Sequence, residues 1–310
     1  MTIYDKTSIS KERIDIILQD WLGRKAKCLS IQRLHGGMIN SVLALSFDQP
    51  PYEAVIKISG DKSESFQREA YTLNYLKTHS MFPVPEVYLC KNADELIEQS
   101  FLLMEKLPGV NLGQASMTDI ERQKVDHQLA DILIELHSHE RDIFGELDGS
   151  KTYTNWLEIF ELRIRSNFED SKKRLTQKSL SIIPSLLDEM PRIFESQGRP
   201  TLIHGDIWAT NIMVNNENGW VLTGLVDPGS SYADVEDELA YLEVFGTVTK
   251  AFFQRYCQKN TLRNGYEVRR LYYWLNTMLL HVWLFGDKHY VMRTERIAEE
   301  IRQLYDKRRC

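Results

Sequence analysis

Residues 201–228 read TLIHGDIWATNIMVNNENGWVLTGLVDP, and no other stretch constrains the chain as strongly. A polar turn, NNENG, separates two short apolar runs, which predicts two strands around a turn. Asp206 precedes the first of these runs, Asn211 follows it by five residues, and Asp227 closes the second. The set supplies one carboxylate to orient a hydroxyl, one amide oxygen, and a second carboxylate that could share a metal ion with that amide. Phosphoryl transfer from a magnesium-bound nucleotide uses groups of this kind in this order. The pattern therefore requires a phosphate-binding lysine and a nucleotide cleft elsewhere in the chain.

The rest of the sequence changes texture near one point. Residues 11–22 place Ile14, Ile17 and Trp21 at helical spacing. SVLALSF and YEAVIKIS then read as strands joined by the Pro-marked turn DQPP. Residues 63–77 return to helical spacing, FPVP at 82–85 forces extended backbone, and VYLC and SFLLMEKL are two more strands. Residues 29–107 thus predict a small, mostly antiparallel sheet with one helix. After Leu107-Pro108-Gly109 the pattern is helical at 124–138, 154–170, 179–195 and from 234 onward, interrupted only by the 201–228 strands. Two domains are expected, 1–107 and 108–310, joined by a junction too short to be a floppy tether.

Bulk properties exclude several classes. The chain has 310 residues, 43% of them apolar and 26% charged, which fits a globular protein. A chain this long can bury roughly 75% of its unfolded surface, so it needs no covalent staples. A net charge of −6 argues against nucleic acid as partner. The four cysteines are scattered with no CxxC or Cys–His cluster, which points to free thiols in a reducing cytoplasm rather than structural zinc. The N-terminus has no apolar signal core. The apolar run 272–285 is interrupted by Asn276 and His281 and is too short to span a membrane, so it reads as a core helix.

Lys57 lies in the apolar strand AVIKI, where a lysine usually lays its stem over core. Glu69 follows twelve residues later in a helical segment and could hold the ammonium in place. The glycines of HGGMINS precede a strand and could bring backbone N–H groups close to phosphate. No GxxxxGK[ST] occurs, which excludes a P-loop enzyme.

With HGDxWxxN at 204–211 and DPxxxYxxxExxLAxxExFG at 227–246, the chain resembles the fructosamine kinase (ketosamine 3-kinase) family of the protein-kinase-like, aminoglycoside phosphotransferase-like superfamily. The resemblance runs from about residue 29 to about 290 and implies an α+β, bilobal protein-kinase-like fold. A small antiparallel-sheet N-terminal lobe would bind nucleotide, and a larger, mainly helical C-terminal lobe would hold catalytic and substrate residues. It implies ATP and Mg2+ as cofactors. Asp206 falls on the catalytic base, and Asn211 and Asp227 fall on the metal ligands. Lys57 and Glu69 fall on the ion pair below the phosphates, Gly36 and Gly37 on the loop above them. Met104–Leu107 falls on the hinge, with Glu105 and Leu107 offering backbone groups to adenine. Trp208, Tyr232, Glu236 and Trp156 are candidates around the acceptor; for the aromatics a core role is equally compatible.

The implied activity is ATP-dependent phosphorylation of a hydroxyl on a small cationic or sugar-like molecule, foremost a ketosamine. An aminoglycoside or other amino-alcohol is the alternative acceptor. Ala233, Val235, Glu238 and Thr210 stand where the family favours Gly, Arg, Asp and Gly, which bears on the acceptor rather than on phosphoryl transfer. An inactive nucleotide-binding pseudokinase is the third reading; the presence of Lys57, Asp206, Asn211 and Asp227 argues against it. A cytoplasmic monomer or weak dimer without membrane or nucleic-acid partners is expected.

Overall fold

The computed structural model describes residues 9–23, 25–34, 41–60, 65–95 and 97–309. The described chain divides into two compact units, 1–121 with 209–229 and 122–208 with 230–310. In chain order the elements begin with α1 (Lys11–Leu22), β1 (Cys28–Arg33), β2 (Ser41–Phe47), β3 (Glu53–Ile58), α2 (Gln67–His79), β4 (Val87–Lys91), β5 (Phe101–Met104) and β6 (Val110–Asn111). Next come α3 (Asp119–Leu136), β7 (Phe144–Glu146), β8 (Thr152–Tyr153), α4 (Trp156–Ser171), α5 (Gln177–Asp188), α6 (Met190–Ile193) and β9 (Thr201–Ile203). The chain ends with β10 (Ile212–Asn215), β11 (Val221–Leu225), β12 (Ser231–Ala233), α7 (Val235–Val244), α8 (Lys250–Tyr256), α9 (Tyr266–Phe285) and α10 (Lys288–Arg309).

In the first unit β1 to β5 form an antiparallel sheet in the order β1-β2-β3-β5-β4. Side chains alternate between faces along a strand. Ala54, Ile56 and Ile58 of β3 therefore join Ile14, Ile17 and Leu18 of α1 in one apolar cluster, with Phe47, Phe101 and Leu103. Val55 and Lys57 point the other way. Helix α1 starts where the predicted spacing puts it, with the Ser10 hydroxyl accepting from the Arg13 N–H as an N-cap.

The predicted hairpin of 201–228 is β10 and β11, and β6 adds to its edge in the order β11-β10-β6. Gly109 makes that pairing feasible. Its φ is +96°, and a Cβ there would sit 1.9 Å from the Val214 carbonyl oxygen. The Leu-Pro-Gly change of texture thus marks a close backbone approach that only glycine allows.

In the second unit α9 is the central element. Its Tyr272, Tyr273, Leu275, Met278 and Leu279 pack with Phe160 and Ile164 of α4, Ile183 and Leu186 of α5, and Ala298 and Ile301 of α10. The apolar run 272–285 is accordingly a core helix. It ends at Gly286, whose left-handed backbone (φ 70°) lets its N–H cap the Val282 carbonyl. No helix among the described residues is long and apolar enough to cross a membrane. A third sheet, β8-β7-β12-β9, carries the strand that leads into Asp206.

Candidate active site

The face of β3 opposite the α1 cluster opens on a cavity of about 320 Å3 within the first unit. Leu34, Val42, Val55 and Met104 from the five-stranded sheet line it, as do Met213 and Val226 from the β10–β11 hairpin. The strand register explains the grouping: Val42 pairs with Lys57, and Val55 pairs with Met104. Apolar walls with a few polar groups suit a flat heteroaromatic ring. Glu105, Lys106 and Leu107, directly after β5, line the same cavity. The Glu105 N–H donates to the Glu86 carbonyl at 2.8 Å, which fixes the strand end into β4's approach.

Lys57, Thr210, Asn211 and Asp227 are among the polar residues that line the cavity. Lys57 is 7% exposed. Its ammonium donates to Glu69 Oε1 at 2.5 Å and to Asp227 Oδ1, so one cation bridges two carboxylates from different elements. Burial alone would lower the Lys57 pKa, but Asp227 and then Glu69 outweigh it and hold the ammonium above its ordinary range. Burial raises the Glu69 carboxyl, against the opposing pull of Lys57. Glu69 thus proves the lysine's partner in space as well as in sequence; Glu64, which shares its sequence region, lies outside the described residues, as do Gly36 and Gly37.

Asp227 has φ 58°, a left-handed conformation uncommon for residues other than glycine. The neighbouring backbone is pinned, because the Val226 N–H donates to the Asn211 carbonyl at 2.9 Å. That bond ties the ends of the β10–β11 hairpin together and brings Asn211 and Asp227 to one wall of the cavity. Their side chains offer an amide and a carboxylate oxygen, the hard donors that Mg2+ prefers. Beside them the buried Thr210 Oγ has no hydrogen-bond partner among the described residues. An unsatisfied hydroxyl in a polar corner suits an oxygen-rich ligand. The donor set therefore fits a magnesium–nucleotide.

Asp206 belongs to the second unit, in the loop after β9. Gly205 has φ 87°, which gives the tight turn expected before it. The loop is anchored from α7. Glu238 accepts hydrogen bonds from the Gly205 N–H at 2.6 Å, the His204 N–H at 3.3 Å and His137 Nε2 at 2.8 Å. The other His137 nitrogen is hydrogen-bonded to the Tyr256 hydroxyl at 2.7 Å. Burial works against the Glu238 charge, yet the His137 bond, with His204 and the Gly205 N–H, holds its carboxyl below the usual range. His204 is fully buried, its Nδ1 accepting from the Asp206 N–H at 3.3 Å. It is a scaffold residue of the loop.

The acceptor-side candidates separate in space. Trp156 is 2% exposed, between Phe144 and Phe160, and its indole N–H donates to the Tyr273 hydroxyl at 3.0 Å. Glu236 is 1% exposed and held by Arg269 Nε at 2.6 Å and by Arg263. Tyr232 is buried in β12 with the Arg141 guanidinium 4.2 Å over its ring. These three are interior residues whose polar or π surface is engaged within the unit, the core role that the sequence leaves open for the two aromatics. Trp208, two residues after Asp206, is half-buried and stays a candidate.

Compared with known proteins, residues 10–303 match the model of the family described as fructosamine kinase. The chain belongs to the fructosamine kinase family. A probable ketoamine kinase of Vibrio vulnificus is 26% identical over 284 residues, covering 87% of this chain and 92% of that protein. One of Pasteurella multocida is 25% identical over 305 residues, covering 94% and 98%. Among solved structures, a protein assigned as a fructosamine-3-kinase from Haemophilus somnus superposes with TM-score 0.74 at 22% identity, over 93% of this chain and 96% of its own. The aminoglycoside phosphotransferase APH(4)-Ia, in ternary complex with AMP-PNP and hygromycin B, superposes with TM-score 0.69 at 16% identity, over 93% and 97%. The fold is therefore the α+β protein-kinase-like fold, with an antiparallel-sheet N-terminal lobe and a larger helical C-terminal lobe.

Two residues of this fructosamine kinase family member escaped the sequence reading. Glu238 was visible only as a departure within the motif. Tyr241, whose hydroxyl donates to Asp206 Oδ1 at 2.6 Å, falls on a position that the motif leaves open. Its only sequence signal is helical spacing: it lies three residues beyond Glu238, on the same face of α7.

Proposed function

We propose that this protein is an ATP-dependent kinase that phosphorylates a hydroxyl of a ketosamine, a sugar–amine adduct. The observation that carries the reading is the bridge from Lys57 to Glu69 and Asp227 on the wall of an apolar cavity that ends at Glu105–Leu107. In this reading residues 1–107 are the nucleotide-binding lobe and 108–310 the catalytic and substrate lobe. Adenine enters between Val42, Val55, Met104, Met213 and Val226 and pairs with the Glu105 carbonyl and the Leu107 N–H. Lys57, steadied by Glu69, reaches the α- and β-phosphates. Gly36 and Gly37 lie in the loop over the phosphates.

Asn211 and Asp227 would hold Mg2+, which would supply charge neutralisation to the phosphoryl group. Asp206 accepts the proton of the acceptor hydroxyl and holds that oxygen in line, so positioning carries most of the rate. Trp208 is the remaining candidate for an aromatic contact with the sugar. The negative net charge suits a cationic acceptor. A cytoplasmic monomer or weak dimer completes the reading.

Purified protein with ATP and Mg2+, assayed for ADP release against fructosyl-lysine and an aminoglycoside panel, tests the acceptor. Paired variants test the roles. Asp206→Asn leaves nucleotide affinity intact and lowers kcat by ~10²–10⁴-fold. Asp227→Ala loses magnesium-dependent nucleotide binding together with turnover. Near wild-type turnover in Asp206→Asn at saturating substrate would falsify the assignment of that residue.

A further inference from the structure

Tyr241 stands beside the proposed base in a way the family motif does not require. The 2.6 Å from its hydroxyl to Asp206 Oδ1 is the length of a charge-assisted O–H···O⁻ bond. Burial, then the facing Asp206 carboxylate, pushes the phenol pKa far up, so the group remains a donor throughout the working pH range. The ring is braced edge-on by Phe245, with centroids 5.2 Å apart. Phe245 in turn meets His281 at 5.1 Å, and His281 meets Tyr290 at 4.9 Å. A phenylalanine could make the same ring contacts. Among the described residues the hydroxyl adds only its bond to Asp206, and a buried hydroxyl without a partner is costly.

We propose that Tyr241 is a positioning residue for Asp206: its O–H fixes the plane of the carboxylate and stabilises its ionised form, so that the acceptor hydroxyl meets an oriented base. The inference rests on the reading of Asp206 as that base. In the step it serves, the acceptor O–H proton passes to Asp206 and the acceptor oxygen bonds to the γ-phosphorus. The bond from that phosphorus to the β–γ bridging oxygen breaks, and ADP leaves with its electron pair. Other groups that titrate or carry charge here are His204 from the same loop, His281 from α9, and Tyr290 and Arg293 from α10. Burial holds His281 below the ordinary imidazole range, so its titration has to be separated from that of Asp206.

The test uses full-length protein labelled with 13C at the aspartate carboxyls, the Asp206 signal being the one lost in Asp206→Asn. In Tyr241→Phe the Asp206 midpoint should rise by about one pH unit, since a hydrogen bond to the charged form favours it. With fructosyl-lysine as acceptor, and with water alone, kcat should fall about 10- to 100-fold, the loss of one bond to a charged group. KM for ATP should stay within about twofold, and the acid limb of kcat should move up with the midpoint. In the Asp206→Asn background the same change should alter residual turnover by less than about twofold, because the two residues act as a unit. Replacing Tyr241 with 3,5-difluorotyrosine, a stronger donor, should move the midpoint the opposite way and guards against a folding defect in Tyr241→Phe. An Asp206 midpoint that stays put in both proteins overturns the proposal. So does a limb shift that persists without the Asp206 carboxylate, which would assign it to His281 or Tyr290. If Asp206→Asn alone keeps full turnover, the reading of Asp206 as base fails, and the positioning role fails with it; an inert Tyr241→Phe beside a dead Asp206→Asn sinks only the role of Tyr241.

Discussion

Glu238→Gln is the most direct probe of how the loop before Asp206 is held. The carboxylate is 3% exposed and accepts three hydrogen bonds, from the Gly205 N–H, the His204 N–H and His137. Glutamine keeps the volume but removes the charge and offers one acceptor oxygen, while its amide N–H groups face donors. The bond at 2.6 Å to the Gly205 N–H is the strongest of the three by length. Losing a charged acceptor costs about 1.5–3 kcal/mol, and a buried donor left unsatisfied costs about 1–3 kcal/mol. Not every loss is realised at once, so a net destabilisation of about 2–4 kcal/mol is expected. At roughly 2–4 °C per kcal/mol for a unit of this size, Tm falls by about 5–15 °C. The pH dependence follows from the depressed pKa of Glu238. Its contribution is present above the unfolded glutamate value of about 4.3 and is lost as pH falls through the lower folded value. The difference between wild type and Glu238→Gln should therefore be full at pH 7 and shrink on acidification below the unfolded value. Urea denaturation at pH 7 and at descending pH, followed by tryptophan fluorescence, measures it. A midpoint within about 0.5 kcal/mol of wild type at pH 7 would show that the loop does not depend on this carboxylate.

Two further outcomes follow from the first unit. Gly109→Ala should destabilise the protein by at least about 3 kcal/mol, because a Cβ meets the Val214 carbonyl at 1.9 Å in a backbone of φ +96°; calorimetry checks it, and an unchanged Tm would mean that β6 detaches freely. Lys57→Met should raise KM for ATP at least ~10-fold and cost about 1–3 kcal/mol, the usual penalty for a broken buried pair being discounted because the Asp227 side chain is 39% exposed. Since the Lys57 pKa is raised, its contribution should be complete below the unfolded lysine value of ~10.4 and fade only as pH climbs through the folded one; wild type and variant compared by urea titration across pH 7–11 should show the gap closing at the alkaline end.

Local physics was legible in the sequence, and coupling between distant segments was not. The β2 and β3 strands, the α1 helix and the core helix α9 followed from periodicity, because burial on one face or all round writes a repeating pattern. Lys57 and Glu69 were paired from a twelve-residue spacing across a strand and a helix, and the ion pair is present. The spacing at 179–195 predicts one helix, but the segment divides into α5 and α6, with Glu189 between them and Pro191 in the first turn of α6. That Trp156 and Glu236 are interior is not legible locally, because an aromatic or acidic residue near a motif has no local mark of burial. Their partners, Tyr273, Arg263 and Arg269, arrive from 27 to 117 residues away. Tyr241 was missed for the same reason: its bond to Asp206 spans 35 residues and leaves no spacing rule behind it.

The first compact unit is not one stretch of chain. Residues 209–229 return to it after the second unit has begun, adding β10 to the Val110–Asn111 edge and supplying Thr210, Asn211, Met213, Val226 and Asp227 to the cavity. A recombinant fragment that stops at residue 121 would carry the lysine and the proposed hinge but lack both proposed metal ligands and the apolar floor. The unit cannot be moved between proteins as one uninterrupted gene segment. A working transplant would have to splice residues 209–229 onto the fragment by a new linker, and mutational drift in that short insert would bear on the cavity as heavily as change in the hundred residues that precede it.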